Sequence, residues 1–246
     1  MKASAFEFRF RVWIMVVVIF LGFSAPWIEL LHIGTRTTAW LWLGFELGAL
    51  GLTSTAGILA VTILAIITAA LAAAIRIWGT AYLGTSVVNN AEMKAGQVMV
   101  DGPYRHVRNP LYIGSWFMVA AISVLMPASG AAFTMILLSI FLLRLILGEE
   151  AFLAPRLGES YITYKKAVPR LLPSLRPRVA ASGQAPNWSR ALIGEVTPIG
   201  IFLSFVALSW QYNAFLLSRA TLICFGLSLV VRALVPPAPG AQSPVL

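Results

Sequence analysis

One segment of the chain combines a turn, positive charge and the start of an apolar helix. Residues 101–114 read DGPYRHVRNPLYIG, so that Arg108 directly precedes Asn109 and Pro110. Proline lacks the N–H that would be unpaired in the first turn of a helix, so Pro110 suits that turn and Asn109 is a candidate N-cap. A helix N-terminus beside an arginine binds anions well. The segment is therefore a candidate anion site, and the alternative is a basic loop that only anchors the helix.

A second candidate site contains two adjacent carboxylates. Arg144 lies in the last turn of an apolar stretch, and Glu149 and Glu150 follow it. Ionisable groups inside a long apolar helix are costly and usually face protein or a water-filled cavity. A helix C-terminus prefers cations, so the two glutamates are poorly placed unless the helix continues or cations pair with them. This misfit predicts a binding or chemical role, and the alternative is two solvated surface glutamates.

A third segment, residues 157–170, carries tyrosines at helical spacing. Tyr161, Tyr164 and Val168 share one face of a short amphipathic helix, which Pro169 ends. The simplest interpretation of this segment is a cap that packs over the ends of longer helices.

The elements that must position these residues are membrane helices. Of the 246 residues, 59% are hydrophobic and 11% are charged, whereas about a quarter of a soluble domain is charged. Six stretches approach the roughly 20 apolar residues that a spanning helix needs. They are residues 12–31, 56–75, 111–126, 131–147, 191–210 and 214–234. A shorter piece, 39–50, carries Glu46 and is predicted to be interfacial or re-entrant. The sequence thus predicts an all-α, polytopic integral membrane helical bundle with about six transmembrane helices plus a short cytoplasmic amphipathic helix.

The net charge of +9 follows from the placement of Lys and Arg beside the predicted helix ends. There they set orientation and contact anionic lipid headgroups, so no nucleic acid partner is predicted. Their distribution places both termini and the polar regions 76–110 and 148–190 on the cytoplasmic side of the membrane, which we predict to be a bacterial inner membrane. The single cysteine, Cys224, excludes an internal disulfide and a cysteine-based metal site, and no metal is predicted.

Five short motifs follow one another with a characteristic order and spacing. They are Gly102-Pro103-Tyr104, RNPLYIG at 108–114, Glu149-Glu150, GESYITY at 158–164 and Val168-Pro169. Each motif alone is weak, but the series resembles the isoprenylcysteine carboxyl methyltransferase family and its phospholipid methyltransferase relatives. The resemblance covers residues 75–175 and implies an integral membrane methyltransferase.

The resemblance implies S-adenosylmethionine as the methyl donor, bound at the cytoplasmic ends of the helices. Arg108 and the first N–H groups of the third span suit the carboxylate of this cofactor. Glu149 suits its ammonium group, and tyrosine faces suit its adenine or its sulfonium. Resemblance and residue chemistry together give ten predicted cofactor-binding residues. They are Gln97, Val98, Met99, Tyr104, Arg108, Asn109, Pro110, Leu111, Tyr112 and Glu149.

Two positions depart from the prenylcysteine enzymes, which have histidine where this chain has Asn109 and arginine where it has Leu145. Asparagine still caps a helix, and Arg144 is adjacent to Leu145. The departures favour a broader class of lipophilic acceptor: an isoprenylcysteine-like carboxylate, a lipid amine or a small thiol. Arg144 and Glu150 are the predicted catalytic residues, with Glu150 as proton acceptor and water or His106 as alternatives.

These predictions divide the chain into four regions. They are N-terminal membrane helices at 1–75, a methyltransferase core at 76–175, a C-terminal helical hairpin at 176–235 and a disordered tail at 236–246. The core is predicted to hold the cofactor, and the outer helices carry no motif that indicates their role.

Two other functions are consistent with parts of the sequence. A membrane reductase of the sterol-reductase type would use NADPH and would need longer basic and glycine-rich loops than residues 81–110 provide. A transporter or scaffold would place polar residues at mid-membrane, whereas Glu46, Arg144 and Glu195 fall near predicted span ends. The clustering of polar groups therefore favours an enzyme, and its methyl acceptor and oligomeric state stay open.

Overall fold

The computed structural model describes residues 2–83 and 98–234, and this part of the chain is helical without a β-strand. The prediction of an all-α protein is confirmed for these residues. They form ten α-helices and two short 3-10 helices. The α-helices are α1 Ala5–Arg9, α2 Arg11–Ser24, α3 Trp27–Leu31, α4 Ala39–Ala49, α5 Ser54–Leu83, α6 Pro110–Ser123, α7 Ala128–Ala167, α8 Trp188–Gly194, α9 Val196–Leu208 and α10 Ala214–Leu234. The 3-10 helices are Gly102–Arg105 and Ser209–Gln211.

Three of these helices, α5, α7 and α10, are long and apolar enough to cross a membrane. A fourth span exists if α8 and α9, which meet at a bend of 72°, are counted as one. Helices α2 and α6 have 14 residues each, or about 21 Å at 1.5 Å per residue, against a hydrocarbon core of about 30 Å. The described helices indicate an integral membrane protein, but the predicted count of six spans is not confirmed.

Two of the predicted spans are interrupted. The stretch 12–31 is broken at Ala25, which adopts a left-handed conformation with φ of 36°, and Pro26 follows it. Proline disfavours the helical conformation at the residue before it, which explains why α2 ends here. The stretch 191–210 is broken at Glu195, whose φ of −108° and ψ of 32° are not helical.

Helix α7 is longer than predicted, with 40 residues. It continues through Glu149 and Glu150 and bends at Gly158, where φ is 60° and ψ is −142°. Two helices meet at this kink, and the second overlaps the segment 157–170, although the short amphipathic helix predicted there is not confirmed. Its apolar residues Tyr161 and Tyr164 are nevertheless buried and pack with Val168, as the spacing predicted.

Helix α5 lies at the centre of the bundle and packs against α4, α6 and α9. Its buried face is made of small residues, which let neighbouring backbones approach closely, as is typical of membrane helices. A Cβ added at Gly57 would lie 2.2 Å from the carbonyl oxygen of Gly44. Helices α2 and α7 make a similar contact at Gly22 and Gly130.

The predicted boundary between residues 75 and 76 falls inside α5. Because α5 packs against α4 on one side and α6 and α9 on others, the described residues of the first three predicted regions share one helical bundle, and the predicted tail 236–246 lies outside the described residues. The division into regions stays a prediction about function.

Candidate cofactor site

The first turn of α6 and the middle of α7 bring together two residues of the predicted site. The hydroxyl of Tyr112 donates a hydrogen bond of 2.8 Å to Oε2 of Glu149. Both side chains are partly buried, and the guanidinium of Arg11 is close enough to attract the Glu149 carboxylate. The contact fixes the direction of a carboxylate that lies 37 residues away in the sequence.

The neighbouring Glu150 is the centre of a cluster of positive charges. Glu150 is 3% exposed. Its carboxylate lies 3.1 Å from Nη2 of Arg108 and 3.7 Å from Nζ of Lys165. Arg170 binds it with two hydrogen bonds, from Nε at 3.1 Å and from Nη2 at 2.8 Å. The sequence placed two carboxylates at a predicted helix C-terminus, where they would be unfavourable. In the structure the helix continues past both glutamates, and Glu150 has cationic partners.

Arg108 is held between α7 and the segment that follows it. Its backbone N–H donates to the carbonyl oxygen of Pro169 at 2.9 Å, and its Nη1 donates to the carbonyl oxygen of Lys165. The side chain is 8% exposed, yet Nε is buried and donates to no protein atom. A buried donor without a partner costs about 1–3 kcal/mol, so this atom is suited to an anionic ligand group.

Asn109 occupies the N-cap position of α6, as predicted, but its side chain does not cap the helix. Instead, Nδ2 donates to the carbonyl oxygen of Arg170 at 3.1 Å. The prediction of a side-chain cap is therefore wrong, because the Asn109 side chain is hydrogen-bonded to the backbone of the segment after α7 instead. The N–H groups of Leu111 and Tyr112, in the first turn, have no partner within the helix.

Tyr104 is buried beside the other predicted cofactor residues. It is 6% exposed, its hydroxyl donates to the carbonyl oxygen of Gly79 at 3.5 Å, and its own carbonyl oxygen accepts a 2.9 Å bond from Tyr164. Burial raises the pKa of the Tyr104 phenol well above its ordinary value, so the group stays neutral. A neutral aromatic wall is compatible with the predicted contact to an adenine or sulfonium.

The other predicted cofactor residues lie around these. Pro110 is buried at the start of α6, and the Leu111 carbonyl oxygen accepts a hydrogen bond of 2.9 Å from Ser115. Val98 packs against the Tyr161, Tyr164 and Val168 cluster, and Met99 is partly buried. Gln97 lies outside the described residues.

Arg144 is not part of this group in the described structure. It forms an ion pair with Glu7 of α1, with distances of 3.0 Å from Nε and 2.8 Å from Nη2. The bond from Arg144 lowers the pKa of Glu7 to about 2. The backbone N–H of Ala3 also donates to the Arg144 carbonyl oxygen at 3.0 Å. The structure thus places the predicted catalytic residues Arg144 and Glu150 in separate ion clusters.

The sequence did not predict the buried pair of Arg76 and Glu195. Nε of Arg76 lies 2.6 Å from Oε2 of Glu195, which is 2% exposed. Arg76 also donates to Ser115 at 2.7 Å, and Thr80 donates to Glu195 at 2.6 Å. Lone charges in two apolar helices were the available signal, because such groups pair with one another. The pair joins α5 to the bend between α8 and α9.

Asp101 was a second residue without a predicted role. Its carboxylate accepts hydrogen bonds from the backbone N–H groups of Ser182, Gly183 and Gln184 and from the Ser182 hydroxyl. The hydroxyl bond from Ser182 is the main reason why the pKa of Asp101 is lowered, against the opposing effect of burial. Asp101 therefore fixes the start of the 101–109 segment to the loop before α8.

Part of this chain matches a known protein family. The described residues form helices that suit a membrane, and a cluster of charged side chains lies where the segment before α6 meets α7. Residues 52–160 match the family model of phospholipid methyltransferases, a segment that includes α5, α6 and most of α7. The predicted resemblance is confirmed by this match, and the family supports an enzyme of the methyltransferase class. No curated protein and no solved structure matches the chain. Among the described residues, no group of three His, Cys, Asp or Glu side chains could hold a metal ion.

Proposed function

We propose that the protein is an integral membrane methyltransferase that uses S-adenosylmethionine and methylates a lipophilic acceptor. The observation that carries the proposal is that two charged groups adjoin the first turn of α6: Arg108, whose buried Nε has no partner, precedes this turn, and the Glu149 carboxylate of α7 accepts a hydrogen bond from Tyr112 within it. Both residues lie inside the segment that matches the methyltransferase family.

The residues present fit the charged ends of the cofactor. The Arg108 Nε atom and the free N–H groups of the first turn of α6 suit a carboxylate. The Glu149 carboxylate, oriented by Tyr112, suits an ammonium group. The bound cofactor would supply a methyl group on a sulfonium centre. The residues of this chain would contribute positioning and electrostatic stabilisation.

The role of Glu150 is the part of the proposal that the geometry sharpens. The sequence hypothesis makes it a proton acceptor. Its carboxylate already contacts Arg108, Lys165 and Arg170, and this full set of partners favours a positioning role in which Glu150 holds Arg108 in place. Water is then the stronger candidate for accepting the proton of the acceptor. Arg144, paired with Glu7, is proposed to orient the N-terminal segment beside the site.

The proposal includes a location and an orientation. Both termini and the charged cluster would face the cytoplasm, at a bacterial inner membrane, because Lys and Arg concentrate at that end of the predicted spans. A lipophilic acceptor would then enter from the bilayer between helices, while the polar cofactor enters from the aqueous side.

Calorimetry on the purified chain in detergent tests the cofactor site. We expect Arg108→Ala and Glu149→Gln each to weaken S-adenosylmethionine binding by about tenfold or more, because each removes one charge-assisted contact worth about 1.5–3 kcal/mol. Arg156→Ala and Glu159→Gln are matched controls, since both residues lie on α7 and are exposed, and they should bind like the parent chain.

The same titration separates the competing activities. Unchanged affinity in both Arg108→Ala and Glu149→Gln would mean that the site is wrongly placed. Binding of NADPH in place of S-adenosylmethionine would instead support the membrane reductase.

A further inference from the structure

A short stretch after α7 exposes leucines where no helix presents them to lipid. Residues 171–178, named here the basic leucine loop, read LLPSLRPR. Leu172 is 83% exposed, Leu175 is fully exposed and Leu171 is 41% exposed. Exposed leucines are expected on the long apolar helices, which suit a bilayer, but these three lie in a non-helical segment beside polar residues. Clustered exposed apolar side chains of this kind mark an interaction surface.

The basic leucine loop is held in place rather than free. The Ser174 N–H donates to the His106 carbonyl oxygen at 3.0 Å, and His106 Nδ1 lies 2.8 Å from the Ser174 carbonyl oxygen. Further along, the Arg178 N–H donates to the Arg105 carbonyl oxygen at 2.9 Å, and Arg105 Nε donates to the Val179 carbonyl oxygen at 3.0 Å. The leucines are therefore presented by a fixed backbone, so that little conformational entropy is lost when a partner covers them.

The charge around the loop is of one sign. Between Glu159 and Glu195 the chain contains no acidic residue and six basic ones. The basic residues are Lys165, Lys166, Arg170, Arg176, Arg178 and Arg190. Arg176 and Arg178 are exposed within the loop itself. Basic side chains beside exposed leucines match a membrane surface, where anionic headgroups lie directly above the acyl chains.

We propose that the basic leucine loop lies in the membrane surface: Leu172 and Leu175 enter the boundary between headgroups and acyl chains, and Arg176 and Arg178 contact anionic lipid headgroups. The helix before the loop, α7, is long and apolar enough to cross a bilayer, so a bilayer would cover the loop without a further partner. Because the backbone N–H of Arg108 donates to the Pro169 carbonyl oxygen, the loop also joins the lipid surface to the charged cluster. This surface does not depend on the proposed methyl transfer.

A fluorescence experiment on the full chain tests the contact. In a Cys224→Ser background, single cysteines replace Leu172, Leu175 or Ala181, which is exposed in the same linker, and each is labelled with bimane. Each labelled chain is placed, one per nanodisc, in phosphatidylcholine alone or mixed with phosphatidylglycerol, with a spin-labelled lipid as quencher. We expect larger losses of fluorescence at 172 and 175 than at 181, and an increase of these losses with phosphatidylglycerol.

Removing charge separates headgroup contact from simple burial. Arg176→Gln should reduce the effect of phosphatidylglycerol on the labels at 172 and 175, whereas Arg219→Gln, the same change on α10 far from the loop in sequence, should not. High salt should reduce it too, because the screening length falls to about 3 Å at 1 M. Equal quenching at 172, 175 and 181 in phosphatidylglycerol nanodiscs would overturn the proposal. Burial of the labels only when two chains share a disc would assign the surface to a second copy and would also overturn it.

Discussion

Glu150 shows at the scale of a single residue how the bend in α7 creates a site. Arg170 lies 20 residues after Glu150 and binds it with both Nε and Nη2. This contact requires the chain to fold back after Gly158, whose left-handed φ of 60° makes the bend. The sequence could predict that Glu150 needs cationic partners. It could not predict that Arg170 is one of them, because the bend at Gly158 determines which residues come close to Glu150.

The positioning role of Glu150 predicts a binding defect. Glu150→Gln should weaken S-adenosylmethionine binding by about tenfold, because Arg108 and Arg170 lose the charge that holds them. Calorimetry in detergent measures this, with Glu159→Gln as the control on the same helix. Parent-like affinity in Glu150→Gln would contradict the positioning role and would restore the proton acceptor as the better hypothesis.

At the scale of elements, the site depends on how the segment 101–109 is fixed. This segment is irregular apart from one 3-10 turn, and it is joined at its start to the loop before α8 by Asp101 and at its end to the stretch after α7 by Asn109. The Asp101 carboxylate accepts three backbone N–H bonds. Together with the hydrogen bonds from Tyr104 to α5 and from Arg108 to α7, these contacts hold the residues of this loop in one conformation.

Asp101 makes the attachment of the loop sensitive to pH. Its pKa is lowered in the folded chain, so the attachment is complete above the ordinary aspartate pKa of about 3.9 and is lost as pH falls through the lowered value. Asp101→Asn should increase hydrogen exchange at Ser182 and Gln184 at neutral pH and remove the acid dependence expected of the parent chain. Exchange in Asp101→Asn that matches the parent at neutral pH would show that the carboxylate does not hold the loop.

At the scale of the whole molecule, close backbone contacts between helices organise the bundle. Helix α5 packs against α4, α6, α8 and α9, and α2 packs against α7. In a bilayer, helices gain little from hiding apolar surface from one another, so close packing through small residues provides much of the association energy. Helices α2 and α7 approach closely at Gly22 and Gly130, since a Cβ at Gly130 would lie 2.0 Å from the Gly22 carbonyl oxygen.

A single methyl group should therefore separate α2 from α7. We expect Gly130→Ala to lower the free energy of unfolding by about 1–3 kcal/mol, because the added carbon overlaps backbone that cannot move aside. Thermal unfolding in detergent measures the change. Gly226→Ala is the control, since a Cβ there meets nothing within 4 Å, and it should be neutral or slightly stabilising. Equal melting of the two variants would contradict the contact.

The sequence predicted local features well and distant ones poorly. The turn at Gly102 and Pro103, the start of α6 at Pro110 and the burial of the tyrosine face on α7 follow from residue type and short spacing. The break at Ala25 could have been predicted from Pro26, because proline disfavours a helical conformation at the residue before it, whereas hydropathy alone does not show where a helix ends. The pairs of Arg144 with Glu7 and of Arg76 with Glu195 join residues more than 100 positions apart, so only the packed bundle defines them.

The pair of Arg76 and Glu195 has a consequence for biogenesis. The ribosome delivers α5 to the membrane long before α8 and α9, since 119 residues separate the two charges. During that interval the Arg76 guanidinium lacks the Glu195 carboxylate as a partner. When α8 and α9 are inserted, Glu195 must reach Arg76 within the helices that have already assembled. Leaving either charge buried alone costs about 3–5 kcal/mol. We therefore expect an assembly order in which α5 is inserted first. The fold is completed when α8 and α9 pack against α5 and Glu195 pairs with Arg76.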